Sequence, residues 1–363
     1  MIGRGTVTDL CVYIQVSMTN VESLKKMVQE DDVSPSQSPY THEEYTVGWI
    51  CALSIEYVAA QEFLDARHDR PDYLSRHDNN DYTLGKISEH NVVIAVSPRR
   101  ELGLCPAAIV ATNMLRSFPN VTIILMVGIG GGAPSPRRDI RLGDIVVSTS
   151  RGGIGAVYQY DLGKSTEFGF IPTETSKEPP TVLQIAVNRL RDQYSSNNHR
   201  LQDVINNILE NNAELRKRYR RPDPQTDILF ISGYIHQPGP ESCAYVCSRD
   251  RIEMRDVRDD EQQTPTIHYG PIASANRIMK NSSERDIMIA EKDVLCFETA
   301  AAGVMNNFPC LVIRGICDYS DSHKYSEWQG YAAMVVAAAY AKDLLRQIYP
   351  SKVEAEKKIR DTP

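Results

Sequence analysis

The chain has 363 residues, 42% of them apolar, and a formal net charge of −7. That is enough apolar material for one large domain or two ordinary ones. The negative balance excludes a general attraction to nucleic acid or anionic membrane, so a phosphate-bearing ligand would need a local basic cluster.

Residues 1–44 join a short apolar patch, "LCVYIQV", to the polar "QEDDVSPSQSPYTHEE" and read as a flexible leader. Organised sequence is expected over 45–349. "YTVGWICAL" reads as a strand, "SIEYVAAQEFLDAR" as a helix with Ile55, Val58, Ala59 and Phe63 on one face, and "NVVIAVS" as a second strand. "LCPAAIVATNMLRSF" is helical, with Pro106 suited to a first turn, and "VTIILMVGIGGG" is a buried strand running into glycines. Alternating strands and helices predict an α/β domain with helices packed over a central sheet, its ligand site beyond the carboxyl ends of the strands. Residues 173–226 are polar and read as a helical excursion with solvated faces, after which the apolar pattern returns in "DILFISGYI", "IHYGPIAS" and "DVLCF". A last helix, "YSEWQGYAAMVVAAAYAKDLLRQIY", precedes a charged, frayed tail over 350–363.

No apolar run reaches the roughly 18 residues needed to span a bilayer, and no secretory signal pattern opens the chain. A cytoplasmic location is the expectation. The eight cysteines sit mostly in apolar segments such as "GWICAL" and "FPCLVIRGICD", which suits reduced thiols better than a disulfide scaffold. Cys243 and Cys247 have His236 upstream and His268 downstream, but Cys-x3-Cys is weak zinc spacing. Ordinary thiols are the simpler reading, and neither metal nor cofactor is assigned.

"GIGGGA", Gly128 to Ala133, satisfies the loose dinucleotide pattern G-x-G-x-x-G/A after a strand. Pro134 and Pro136 follow at once, where the pattern needs a helix. The segment is therefore read as a strand end at which Gly130 and Gly131 let backbone approach a ligand. Three carboxylates stand where elements begin or end: Glu56 at the start of the first helix, Glu298 after "VLCF", and Asp318 at the end of "CLVIRGICD". Carboxylates brought to one sheet edge can divide acid and water-activating roles when their surroundings separate their pKa values.

The segments "ICALSIEYVAA", "MVGIGGGAP", "DIRLGDIVVS", "IHYGPIASANRIMK", "CFETAAAG" and "IRGICDYSDSHK" occur in an order and spacing that resemble the purine nucleoside phosphorylase and methylthioadenosine/adenosylhomocysteine nucleosidase superfamily, in particular its fungal branch found in NLR-like immune proteins. The resemblance implies a single α/β domain whose central mixed sheet bends toward a barrel. It implies cleavage of a purine N-ribosidic bond through an oxocarbenium-like ribosyl cation, by the logic of glycoside hydrolysis. Asp318 then matches the general acid that assists protonation of the base at N7, and Glu56 the carboxylate that orients the attacking water. Ser274, Ile278 and Met279 match the segment lining the purine, and Thr299 stands beside the ribose position. The family pattern departs at Ala300, where a glutamate would bind the ribose 2′- and 3′-hydroxyls. Glu298 does not take over that role, because two steps along a strand-to-helix turn change a side chain's direction. Retention of Glu56 and Asp318 favours a Glu→Ala change in an otherwise competent enzyme over a natural conversion to a binding module.

A phosphorylase would need an arginine-rich phosphate pocket. Arg99 and Arg100, Arg137, Arg138 and Arg141, and Arg314 with His323 and Lys324 are the available cations, and they would equally hold the phosphates of a nucleotide. The "ALSIE" setting of Glu56 favours hydrolysis, with water as nucleophile and an adenine nucleoside or ATP as substrate; depletion of ATP would be one output. A phosphate-dependent phosphorylase and a catalytically silent nucleotide-sensing or oligomerising module are the alternatives. The resemblance also implies a homo-oligomer, a dimer or higher.

Overall fold

The computed structural model describes residues 40–97, 102–167, 169–173, 177–196, 199–237, 243–258, 264–323 and 326–361. Residues 1–39 of the leader expected over 1–44, and Arg99, Arg100 and Lys324, lie outside the described residues. The strands are β1 Val47–Cys51, β2 Ala66–Arg67, β3 Asp81–Ile87, β4 His90–Val96, β5 Ile123–Gly132, β6 Ile145–Ser148, β7 Val157–Gln159, β8 Gly163–Thr166, β9 Gly169–Pro172, β10 Ile267–Gly270, β11 Ile272–Ser274, β12 Cys296–Glu298 and β13 Cys310–Asp318.

Eleven of them form one mixed sheet in the order β10-β6-β13-β5-β1-β4-β3-β2. β1, β4, β5 and β13 run parallel at its centre, with β3 antiparallel to β4 and β6 antiparallel to β13. β1 and β13 are buried at every residue, as a strand covered on both faces must be, and their near-continuous apolar sequences follow from that. A second arm leaves the far end of β5, where β12 pairs with Gly131 and Gly132 and continues into β11 and β7. Only Pro271 separates β10, on one arm, from β11, on the other, so the chain itself draws the two arms together and curls the sheet. The expected α/β domain with a mixed, barrel-like sheet flanked by helices is the observed fold. β8 and β9 make a separate exposed hairpin.

The polar excursion is helical, as expected, over Thr181–Ser196, Leu201–Glu210 and Ala213–Tyr219. Leu183, Ala186, Val187, Leu190, Leu201, Ile205 and Leu209 are its buried stripe. "DILFISGYI" contributes a single bridge, between Phe230 and Ile252. Two expectations need correction. The tail is not frayed through its described part: Val353 and Ile359 are buried and the Ile359 amide donates to Val121 O. Packing also begins before Tyr45, since His42 is buried, stacks on Phe118, and has Nδ1 2.8 Å from Ser117 O. Among the described residues, no helix is long and apolar enough to cross a membrane.

The π-helical stretch Ala332–Ala339 packs onto β13 at Gly315, where a Cβ would lie 2.2 Å from the backbone oxygen of Ala332. Backbone cannot retreat as a side-chain tip can. Gly315→Ala should therefore lose about 1–3 kcal/mol of stability by overpacking, measured as a lowered urea midpoint at unchanged slope. An unchanged midpoint would contradict this contact.

Candidate active site

Glu56 is the third residue of the helix Ser54–Gln61, where the first turn leaves backbone amides without helical partners. Its side chain folds back to use them: Oε2 accepts from the amides of Ala52 at 2.7 Å and Leu53 at 2.9 Å. Oε1 reaches across to β5 and accepts from the Ile129 amide at 2.8 Å. This approach is possible because the preceding residue is glycine; a Cβ on Gly128 would lie 2.3 Å from that oxygen. Burial pushes the Glu56 carboxyl above the usual range, and the Arg314 guanidinium with the three amide donors offsets only part of the rise. Glu56 is thus a buried carboxylate held in one orientation and made more basic than an exposed one.

Asp318 ends β13, and a register shift between Ile316 and Asp318 breaks the pairing with β5 just before it. Such a bulge re-aims the next side chain. Asp318 Oδ1 accepts from the Ser320 amide at 2.8 Å, a turn closed by a side chain over two residues, and Ser320 itself takes the left-handed conformation, φ 55°. Gly131 leaves the space for this turn, since a Cβ there would lie 2.5 Å from Asp318 Oδ1 and 2.3 Å from Ser320 Oγ. The glycine-rich segment is therefore needed by the two carboxylates, a role that its spacing alone does not disclose.

The same cavity wall holds a buried ion pair, Arg314 with Glu298. Arg314 Nη2 donates to Glu298 Oε2 at 2.8 Å, and Nη1 reaches the carbonyls of Met126 and Ile313, each at 3.3 Å. Burial disfavours the Arg314 charge, but Glu298 and then Glu56 more than compensate, and its pKa is raised. Glu298 also accepts from the amides of Ala300 and Ala301 at 2.9–3.0 Å. With these partners it is fully engaged in holding the start of the helix Ala301–Met305, in keeping with the expectation that it does not replace a ribose ligand.

Glu56 and Asp318 line one cavity of about 150 Å³. Gly130, Gly131, Ile278, Met279, Glu298, Thr299, Ala300 and Arg314 share its wall, as do Phe297 and Leu53. Larger hollows exist, including one of about 890 Å³ between residues 178–189 and 347–359, but its wall carries none of these buried carboxylates. The smaller cavity is the candidate site because the chemistry is there. Ala300 is only 3% exposed, and the place where the family pattern has a carboxylate is an apolar patch of cavity wall.

Two expected site residues are placed elsewhere. Ser274 is fully buried in β11, and its Oγ accepts from the Ala302 amide at 3.0 Å, so it supports the helix start from behind. His323 lies outside the cavity wall, stacked on Phe230 with ring centroids 4.1 Å apart, beside His236, Cys243 and Cys247. His268, proposed as a companion to those cysteines, instead has Nε2 2.9 Å from Asp144. The arginines of "SPRRDIR" do not gather at the cavity either: Arg138 pairs with Asp293 and Arg141 with Asp139. The sequence reading missed Arg277, the half-exposed cation of the wall, which pairs with Glu284 and lies over the Tyr160 ring at 4.9 Å. Its signal was its place between Ser274 and Ile278 in "IASANRIMK".

The chain belongs to the phosphorylase superfamily, whose family model matches residues 46–346. A nucleotide-binding leucine-rich repeat (NLR)-like protein of Hyaloscypha variabilis is 42% identical over 320 residues, covering 88% of this chain. The chain spans 31% of that curated relative's length. Among solved structures, a mutant 5′-methylthioadenosine/S-adenosylhomocysteine nucleosidase of Helicobacter pylori with 5′-methylthioadenosine in its active site superposes with TM-score 0.52 at 15% identity, covering 84% of this chain and 99% of that one. Futalosine hydrolase of the same organism gives TM-score 0.52 at 15% identity, covering 85% and 100%. These distant structures share the fold.

The buried pair makes the site sensitive to a single change. Glu298→Ala strands the Arg314 charge and two helix-start amides, and should cost about 3–5 kcal/mol of stability in urea unfolding. Glu298→Leu combined with Arg314→Met should recover much of that loss. A loss under about 1 kcal/mol for Glu298→Ala, the size of an exposed pair, would contradict a pair buried as described.

Proposed function

We propose that the protein is a purine nucleosidase, hydrolysing the N-ribosidic bond of an adenine nucleoside or nucleotide, ATP included, to release the free base. One observation carries this reading: Glu56, on the helix that follows β1, and Asp318, at the end of β13, line the same cavity. Asp318 donates the proton that lets the purine leave as a neutral base, and the ribosyl cation left behind is captured by water positioned at Glu56. The raised pKa of Glu56 suits a water-activating base. Met279, Ile278 and Phe297 offer apolar and aromatic surface for the base. A cavity of about 150 Å³ is below the roughly 300–1,000 Å³ that encloses a drug-sized ligand. It suits the compact end of the substrate, with any phosphates outside the cavity.

Hydrolysis is preferred to phosphorolysis because the two arginines described in the wall are already engaged, Arg314 by Glu298 and Arg277 by Glu284. Ala300 favours a second reading, a module that binds nucleotide without turnover, because it presents a methyl group where the reaction would gain a charge-assisted contact to ribose. The similarity to an NLR-like protein is compatible with either output.

Base release from adenosine, inosine, guanosine, AMP and ATP, with and without phosphate, separates these readings. Ala300→Glu should raise kcat/KM for an adenine substrate on the order of a hundredfold, the worth of a charged hydrogen-bond pair at about 1.4 kcal/mol per decade, without needing phosphate. Strict phosphate dependence would support the phosphorylase, and binding with no release by Ala300→Glu would support the sensor and defeat the proposal. In the Ala300→Glu protein the rate should also fall on acidification. Glu56 must be ionised to act and its folded pKa is raised, so this loss begins at higher pH than for an ordinary carboxylate. A flat profile down to the ordinary carboxylate range would exclude Glu56 as the base.

A further inference from the structure

Four side chains that the proposed reaction does not use converge beyond the end of β13. The ligand atoms of His236, Cys243, Cys247 and His323 all lie within 4.8 Å of one another. Cys243 opens the short helix Cys243–Val246 and Cys247 directly follows it, one turn on, its amide donating to Cys243 O, so both thiols face the same way. His236 Nδ1 is 3.3 Å from Cys243 Sγ and 3.2 Å from Cys247 Sγ. Nitrogen and sulfur on a tetrahedral zinc ion, with bonds of about 2.0–2.1 and 2.3 Å, stand about 3.5 Å apart. The fourth member supplies an independent indication. His323 is 3% exposed, yet neither ring nitrogen makes a hydrogen bond, and Asp321 Oδ1 is 3.6 Å from Nδ1. A buried imidazole without partners is costly unless something absent from the protein itself satisfies it.

We propose that His236, Cys243, Cys247 and His323 bind one zinc ion in a closed, tetrahedral, structural site. Two thiolates and two imidazoles are a zinc-selective donor set, and four protein ligands leave no open position for catalysis. Binding releases the two thiol protons and leaves the site neutral, since two thiolates balance the divalent ion. The packing around it fits a clamp. His323 stacks on Phe230 and Tyr234, and the His236 amide donates to Ser322 Oγ at 2.9 Å. The ion would thus fasten His236 and the short helical turn carrying Cys243 and Cys247 to the turn that follows Asp318, five positions before His323. This proposal stands apart from the assignment of the reaction, because its ligands are not in the cavity wall.

The test is metal analysis of the full untagged chain purified without chelators. It should carry about one equivalent of zinc, and strong chelation should lower the thermal midpoint, with added zinc restoring it. The Cys243→Ser, Cys247→Ser double variant should lose the metal. Should that variant fail to fold, the unmutated chain refolded with cobalt(II) should show thiolate-to-cobalt charge-transfer absorption. Absence of stoichiometric zinc after refolding in its presence, lack of the thiolate band, or a Cys243–Cys247 disulfide in the freshly isolated chain would each overturn the proposal.

Discussion

The structure turns on a guanidinium buried in the middle of its sheet. Arg314 is 3% exposed, and a cation so placed is tolerated only when paired and hydrogen-bonded. Its place in β13 sets it opposite Gly128 of β5, the residue whose missing side chain admits Glu56. Glu298 comes from the other arm of the sheet to meet it. One charge therefore ties together three segments far apart in sequence and helps to set the proton affinity of the carboxylate proposed to activate water. The same pairing explains why Glu298, although in the cavity wall, is not available to substrate.

Position follows from the way the strands end. β5 finishes in glycines because two carboxylates and a tight turn need the volume that side chains would fill. β13 carries a bulge at Cys317, just before its last residue, which re-aims Asp318 where pairing resumes opposite Gly131. Each device weakens regular sheet structure locally, and the surrounding strands, buried on both faces, hold it in place. The site is thus positioned by the ends of β5 and β13 and by the first turn of the helix Ser54–Gln61.

Much of this is legible in the sequence, for a physical reason. Apolar runs such as "GWICAL" and "CLVIRGICD" demand burial on both faces, and the alternation of strands and helices marks the fold class. A carboxylate at such a strand's end or just past it is by itself more often a helix cap or a surface ion pair; the motif resemblance is what singles out Glu56 and Asp318. Other features depend on contacts that no local pattern encodes. Ser274 sits in a matching motif, but its direction is set by pairing with Glu298 across the ladder, and its hydroxyl is taken by the Ala302 amide. His323 looks like one more polar residue after the site, whereas its neighbours His236, Cys243 and Cys247 lie 76 to 87 positions earlier in the chain. The tail and the residues before Tyr45 read as solvated because charged residues surround the few side chains that pack, Val353, Ile359 and His42.

The most direct measurement is a crystal structure of this chain soaked with adenine, refined without assuming where the ligand lies. The account predicts the purine in the cavity beside Met279 and Phe297, with N7 within hydrogen-bonding distance of the Asp318 carboxyl group. Adenine found only in another hollow, or oriented with N7 away from Asp318, would contradict it.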